Sequence, residues 1–152
     1  MRRAARGFTL TEMAVVVAIL ILMAAAILPV IGPMRRQSRL RAGAGEVAGA
    51  LRSARSLAIA RSATCQVRTD TSADPDEVRL YLPGSITPDL SGRLPDGISL
   101  VAPAGEASAG FFDPDGSPRG AFSLTVKDDR DDRYCISVSP GSGQVGIARV
   151  KP

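Results

Sequence analysis

From Met13 to Leu28 not one residue is polar, and the residue that heads this run, Glu12, is a carboxylate. From Phe8 to about Ile31 the composition is that of a membrane helix, without Trp or Tyr belts. An ionised Glu at the edge of a bilayer core is costly unless a positive charge meets it, so an acid in this position points to function by default. The chain itself supplies a candidate cation. A peptidase cut after Gly7 would free the α-amine of Phe8 one helical turn from Glu12, in the same chain or in a neighbour's, and the two charges would neutralise each other.

The order of features is a leader with Arg2, Arg3 and Arg6, then Gly7, then Phe8 with Glu12 four residues on, then the apolar run. It resembles the class III signal of type IV pilins and type II secretion pseudopilins. That resemblance implies that a prepilin peptidase removes residues 1–7 at the cytoplasmic face, that Phe8 is N-methylated, and that Glu12 guides assembly with other pilin or pseudopilin subunits. Two other readings stay open. One is an ordinary secretory signal peptide with Ala24-Ala25-Ala26 as its small-residue cleavage site, which a Glu at the head of the apolar region fits poorly. The other is an unprocessed membrane anchor.

The chain's 152 residues leave room for one modest domain beside this segment, and the formal charge of +4 suggests nucleic acid until its distribution is read. Three arginines lie in the leader. Between Arg35 and Arg68 there are eight arginines against the single acid Glu46, whereas Thr69 to Arg133 holds thirteen acids against six bases. The result is a basic stem and an acidic head. The stem arginines read either as a surface for acidic neighbours, lipid head groups or nucleic acid, or as a solvated helix face; the second reading is preferred.

Cys65 and Cys135 both fall in the part that would lie outside the cytoplasmic membrane. A disulfide between them would stabilise the fold by about 4 kcal/mol in the chain-entropy treatment. Two separate thiols are the equal alternative, because sequence does not give the Cα separation. With no histidine and no CxxC pattern, a His-based triad or a zinc site has no material.

Pro29, and again Gly32-Pro33, disturb the helix, but its continuation past them is expected. Beyond Met34 the pattern becomes amphipathic: Leu40, Ala44, Val47, Leu51, Ala54 and Ala58 recur at intervals of three and four and share one face. After Ala63 the period becomes two. Cys65, Val67 and Thr69, then Val78, Leu80 and Leu82, read as neighbouring strands, followed by an irregular stretch from Pro83 to Pro95, a short extended piece at Ile98 to Val101, and a loop of small residues from Ala102 to Gly110. Phe111-Phe112, then Phe122, Leu124 and Val126, then Tyr134, Ile136 and Val138, then Val145 and Ile147 mark further strands. The fold class is α+β, a long N-terminal α-helix packed against a small, mainly antiparallel β-sheet.

The helix segment from Leu51 to Arg61, the strand pair after it and the turn Phe112-Asp113-Pro114-Asp115-Gly116 before the C-terminal strands resemble the GspH/FimT group of minor pilin-like proteins. The resemblance implies a pilin-like fold divided into a leader (1–7), an N-terminal helix (8–62, with 8–31 crossing the membrane and 34–62 amphipathic) and a β-rich head (63–152). It also implies a single-pass protein of the bacterial cytoplasmic membrane whose head lies outside that membrane, and which enters a secretion pseudopilus or a pilus.

Other chemistry finds less support. Asp113, Asp115 and Gly116 are interrupted by Pro114 and Pro118 and lack the later ligands of a calcium loop, so they read as a tight turn. Asp128-Asp129-Arg130-Asp131-Asp132 reads as a solvated hairpin turn in preference to a calcium site. Some FimT-like minor pilins take up DNA through a C-terminal Gly-Arg-x-Arg motif. Here Gln144 stands where an Arg would be wanted, and only Arg149 and Lys151 remain as bases, a weak phosphate footprint. No nucleophile sits in a Gly-x-Ser-x-Gly setting beside a base. Neither enzymatic activity nor a cofactor or metal is expected.

Overall fold

The computed structural model describes residues 9–102 and 105–150, and of residues 26–31 and 33 it describes the backbone alone. Gly7, Phe8 and Lys151 lie outside the described residues. The chain divides into two compact units, 1–37 and 38–152.

One helix, α1 (Leu10–Arg61), includes Pro29 and Pro33. In the first unit its described residues from Leu10 to Ala25 are all exposed. Among the described residues no helix is long and apolar enough to cross a membrane. The far end of the apolar run, Ala26-Ile27-Leu28, has no described side chains, so the expected span 8–31 extends beyond the described residues at both ends.

The second unit begins inside α1 because Leu40, Ala44, Val47, Ala48, Leu51, Ala54 and Ala58 are all buried in its core. The alanines keep that face low, and at Gly43 an added Cβ would come within 2.9 Å of Ile98 Cγ2. The helix ends where Ser62 turns left-handed (φ 47°). The Ser62 N–H then donates to the Ile59 carbonyl and the Ala63 N–H to the Ala58 carbonyl, a Schellman closure of otherwise orphan acceptors.

Eight strands follow: β1 (Cys65–Asp70), β2 (Glu77–Tyr81), β3 (Leu90–Arg93), β4 (Ile98–Leu100), β5 (Glu106–Phe112), β6 (Phe122–Asp128), β7 (Arg133–Val138) and β8 (Val145–Val150). They form two antiparallel four-stranded sheets, ordered β3-β2-β1-β5 and β4-β6-β7-β8. Two sheets replace the single one expected because the chain changes sheets twice: β4 pairs with β6, and β5 returns to β1. The stretches read as irregular or as loop therefore each contain a strand, β3 and β5. The inward faces of both sheets and residues 40–58 of the helix share one core, whose largest fully buried side chain is Phe112, packed edge-on to Phe122 at 5.7 Å. Gly110 makes room for that pair: an added Cβ would lie 2.6 Å from the Phe122 ring.

The first sheet closes over a buried charge network. The β1–β2 register sets Asp70 directly opposite Glu77, two carboxylates that would repel. Arg79 Nη1 meets Asp70 Oδ2 at 2.7 Å and Arg79 Nε meets Glu77 Oε2 at 3.1 Å, while Arg93, opposite Glu77 in β3, reaches Glu77 Oε1 at 2.6 Å. Hydrogen bonds from Ser72 hold the Asp70 carboxyl below its usual range, and the hydrogen bond from Arg93 does the same for Glu77. Both carboxylates therefore contribute stability that is complete above about pH 5 and is lost as pH falls past about 4, through the depressed folded-state values. The melting temperature of the full chain should fall steeply below pH 4, and Glu77→Gln should melt lower at pH 7 with a flatter acid limb. A wild-type melting temperature level down to pH 2.5 would contradict this.

Candidate functional site

The start of α1 is organised by two side chains. The Glu12 N–H donates to Thr9 Oγ1 at 3.3 Å and to the Thr9 carbonyl at 3.1 Å. In return the Thr9 N–H and Oγ1 donate to Glu12 Oε2 at 3.4 and 3.3 Å. This is a capping box, in which an N-cap hydroxyl and an N3 carboxylate satisfy orphan helix donors reciprocally, and the carboxylate also faces the positive end of the helix dipole. Read as a charge alone, Glu12 hides this role. The Thr-x-x-Glu spacing before an apolar run is the signal that reveals it.

Behind the cap, Leu10, Met13, Val15, Val16, Val17, Ile19, Leu20, Ile21, Leu22 and Met23 are all exposed, Leu10 by 88%. Apolar side chains occur on every side of this segment, so exposed surface continues around the whole cylinder. Soluble monomers rarely present so large an apolar surface, which requires cover by lipid or by other helices.

The structure corrects the disulfide expectation: both cysteines are free. Cys65 begins β1 with its side chain fully buried in the core, whereas Cys135 lies on β7 between core-facing Tyr134 and Ile136 and so points to the opposite face. Burial, reinforced by Asp89, pushes the Cys65 thiol up to about 11, which leaves it almost wholly protonated and unreactive near neutral pH. Alkylation of the unreduced, folded chain at pH 8 should add one label, on Cys135, and unfolding should expose the second. No label in either state would restore the disulfide.

The other candidate groups are engaged locally. Arg149 Nη2 pairs with Asp132 Oδ1 at 3.2 Å, so the described member of the pair Arg149 and Lys151 has its charge offset within the sheet. In the acidic loop, Asp128 Oδ1 accepts from the backbone N–H groups of Arg130 and Asp132 at 2.9 and 3.0 Å, and Asp131 pairs with Arg133. Asp115 Oδ1 accepts from the Ser117 N–H at 2.9 Å and Asp113 Oδ1 from Arg119 Nε at 2.8 Å, around a turn that Gly116 closes at φ 82°. Among the described residues no group of three or more His, Cys, Asp or Glu side chains is placed to hold a metal ion.

Comparison with known proteins bears directly on both ends of the chain. The family model for the type II transport protein GspH matches residues 43–143. The chain belongs to the GspH family. The model for the prokaryotic N-terminal methylation motif matches residues 2–28, which takes in Gly7, Phe8 and Glu12. The crystal structure of the Pseudomonas aeruginosa type IV minor pilin FimU superposes with a TM-score of 0.56 at 15% identity, covering 76% of this chain and 92% of that one, and so shares the fold. No curated protein matches this GspH-family chain. Family, motif and fold together make it a minor pseudopilin or pilin subunit of secretion or pilus assembly.

Proposed function

We propose that this GspH-family subunit acts by assembly and not by catalysis. A prepilin peptidase cuts after Gly7, Phe8 becomes the methylated N-terminus, and the segment 8–31 holds the subunit in the bacterial cytoplasmic membrane until it enters a short filament. There the Phe8 amine and Glu12 form the polar contact within an otherwise apolar interface, and residues 63–152 form the head that faces other subunits and the secretion or pilus machine. The observation that carries this reading is the methylation motif over residues 2–28 coinciding with a capped helix whose described apolar side chains are exposed. DNA binding is not favoured, since Arg149 is already paired.

Intact mass and N-terminal sequencing of the chain isolated from membranes test the processing. A mature protein that starts at Phe8 with one added methyl group is expected. A chain starting at Ile27, or one retaining Met1, would refute it.

A further inference from the structure

The arginines of the second unit divide by the element that carries them. On the sheets, Arg68, Arg79, Arg93, Arg119, Arg133 and Arg149 each form an ion pair. On the helix, none of Arg39, Arg41, Arg52, Arg55 and Arg61 does so among the described residues. Two of them, Arg52 and Arg55, lie three apart on neighbouring turns and line a cavity of about 370 Å³ with Ser56, Gly143, Gln144 and Val145.

Arg55 is built into this place. Its half-buried side chain runs beneath two glycine turns: a Cβ added at Gly116 would come within 3.1 Å of Arg55 Nε, and one at Gly143 within 3.3 Å of the same atom. Both glycines also have left-handed backbones (φ 82° and 63°), so no other residue fits there without strain. Arg55 Nε is shielded from solvent, and no acceptor among the described residues reaches it. A fixed, partly desolvated guanidinium without an internal acceptor, next to a second cation and a hydroxyl, suits a planar oxyanion that takes two N–H donors at once.

We propose that the Arg52–Arg55–Ser56–Gln144 notch receives a carboxylate side chain presented by a neighbouring subunit, a role that rests on the assembly reading above. Charge favours a protein carboxylate over a nucleic-acid backbone. Residues 38–152 carry fourteen bases and fourteen acids, so no long-range field draws a polyanion, and two arginines neutralise too few phosphates for backbone binding. One carboxylate meeting two cations needs neither.

The test uses the full chain in detergent micelles and follows the Arg55 Nε–Hε resonance during titration with a blocked tetra-aspartate peptide and, separately, with a twelve-residue oligothymidylate. A saturable shift with the peptide is expected, weakened at least tenfold in Arg52→Gln. No shift with the peptide, or a shift at lower concentration with the oligonucleotide, would overturn the proposal. In cells, Arg52→Glu, at an exposed position, and Arg55→Gln should each reduce incorporation into filaments at least tenfold at unchanged protein level. Normal incorporation of both would refute the notch while leaving the assembly reading intact, and wild-type protein absent from filaments would sink that reading while the peptide titration still decides the notch.

Discussion

Glu12→Gln is expected to leave the amount of membrane-held protein unchanged and to lower its incorporation into filaments on the order of a hundredfold. The size follows from leaving the Phe8 amine without its partner in an apolar interface, a loss of about 3–5 kcal/mol for a desolvated pair. The capping box makes the choice of variant decisive. Gln at this position can still reach back to the Thr9 N–H, so the substitution removes the charge and keeps the cap. Thr9→Ala does the reverse: it deletes the N-cap hydroxyl that receives the Glu12 N–H, at a cost of about 1 kcal/mol to the first turn, and keeps the carboxylate. Quantitative immunoblotting of sheared or cross-linked filaments against total membrane protein separates the two. Severe loss with Glu12→Gln and mild loss with Thr9→Ala identifies charge pairing as the function of Glu12. Equal, mild losses would reduce Glu12 to a helix cap.

Phe112→Ala should cost about 3–5 kcal/mol and lower the melting temperature of the full chain by on the order of 15 °C or more. Phe112 is fully buried, sits opposite Cys65 where β5 pairs with β1, and meets Phe122 of the second sheet edge-on at 5.7 Å. Its removal opens a cavity at the place where the two sheets contact each other, with rigid neighbours on both sides. Collapse around that cavity would have to move Gly110, which already lies against the Phe122 ring. Phe112→Leu, which retains most of the volume, should lose less than half as much. Near-UV circular dichroism of both variants through a thermal scan measures the difference, and a Phe112→Ala melting temperature within 3 °C of wild type would contradict this account of the core.

The buried face of α1 is legible in the sequence because Leu40, Ala44, Val47, Leu51, Ala54 and Ala58 keep helical spacing and no other face of that segment is comparably apolar. The strands β1, β2, β6 and β7 are legible for the matching reason at period two. β3 and β5 are not. Leu90-Ser91-Gly92-Arg93 and the start of Glu106–Phe112 carry too few large apolar residues to show alternation, and they become strands only because β2 and β1 supply hydrogen-bonding edges from elsewhere in the chain. The small residues of β5 that read as a loop are there to admit the Phe122 ring. At the candidate site, the residue types of the N-terminal motif stand in plain order, while the threading of Arg55 under Gly116 and Gly143 depends on contacts between distant segments that periodicity does not encode.

The central claim is that the exposed apolar surface of α1 is covered by helices of neighbouring subunits when the protein works. A photo-cross-linking residue placed at Val16, four residues beyond Glu12, tests it in cells that carry the complete machine. Adducts between this chain and another pilin-like subunit are predicted, and they should disappear in Glu12→Gln. Labelling confined to lipid in wild-type cells, with no subunit adduct, would contradict the account.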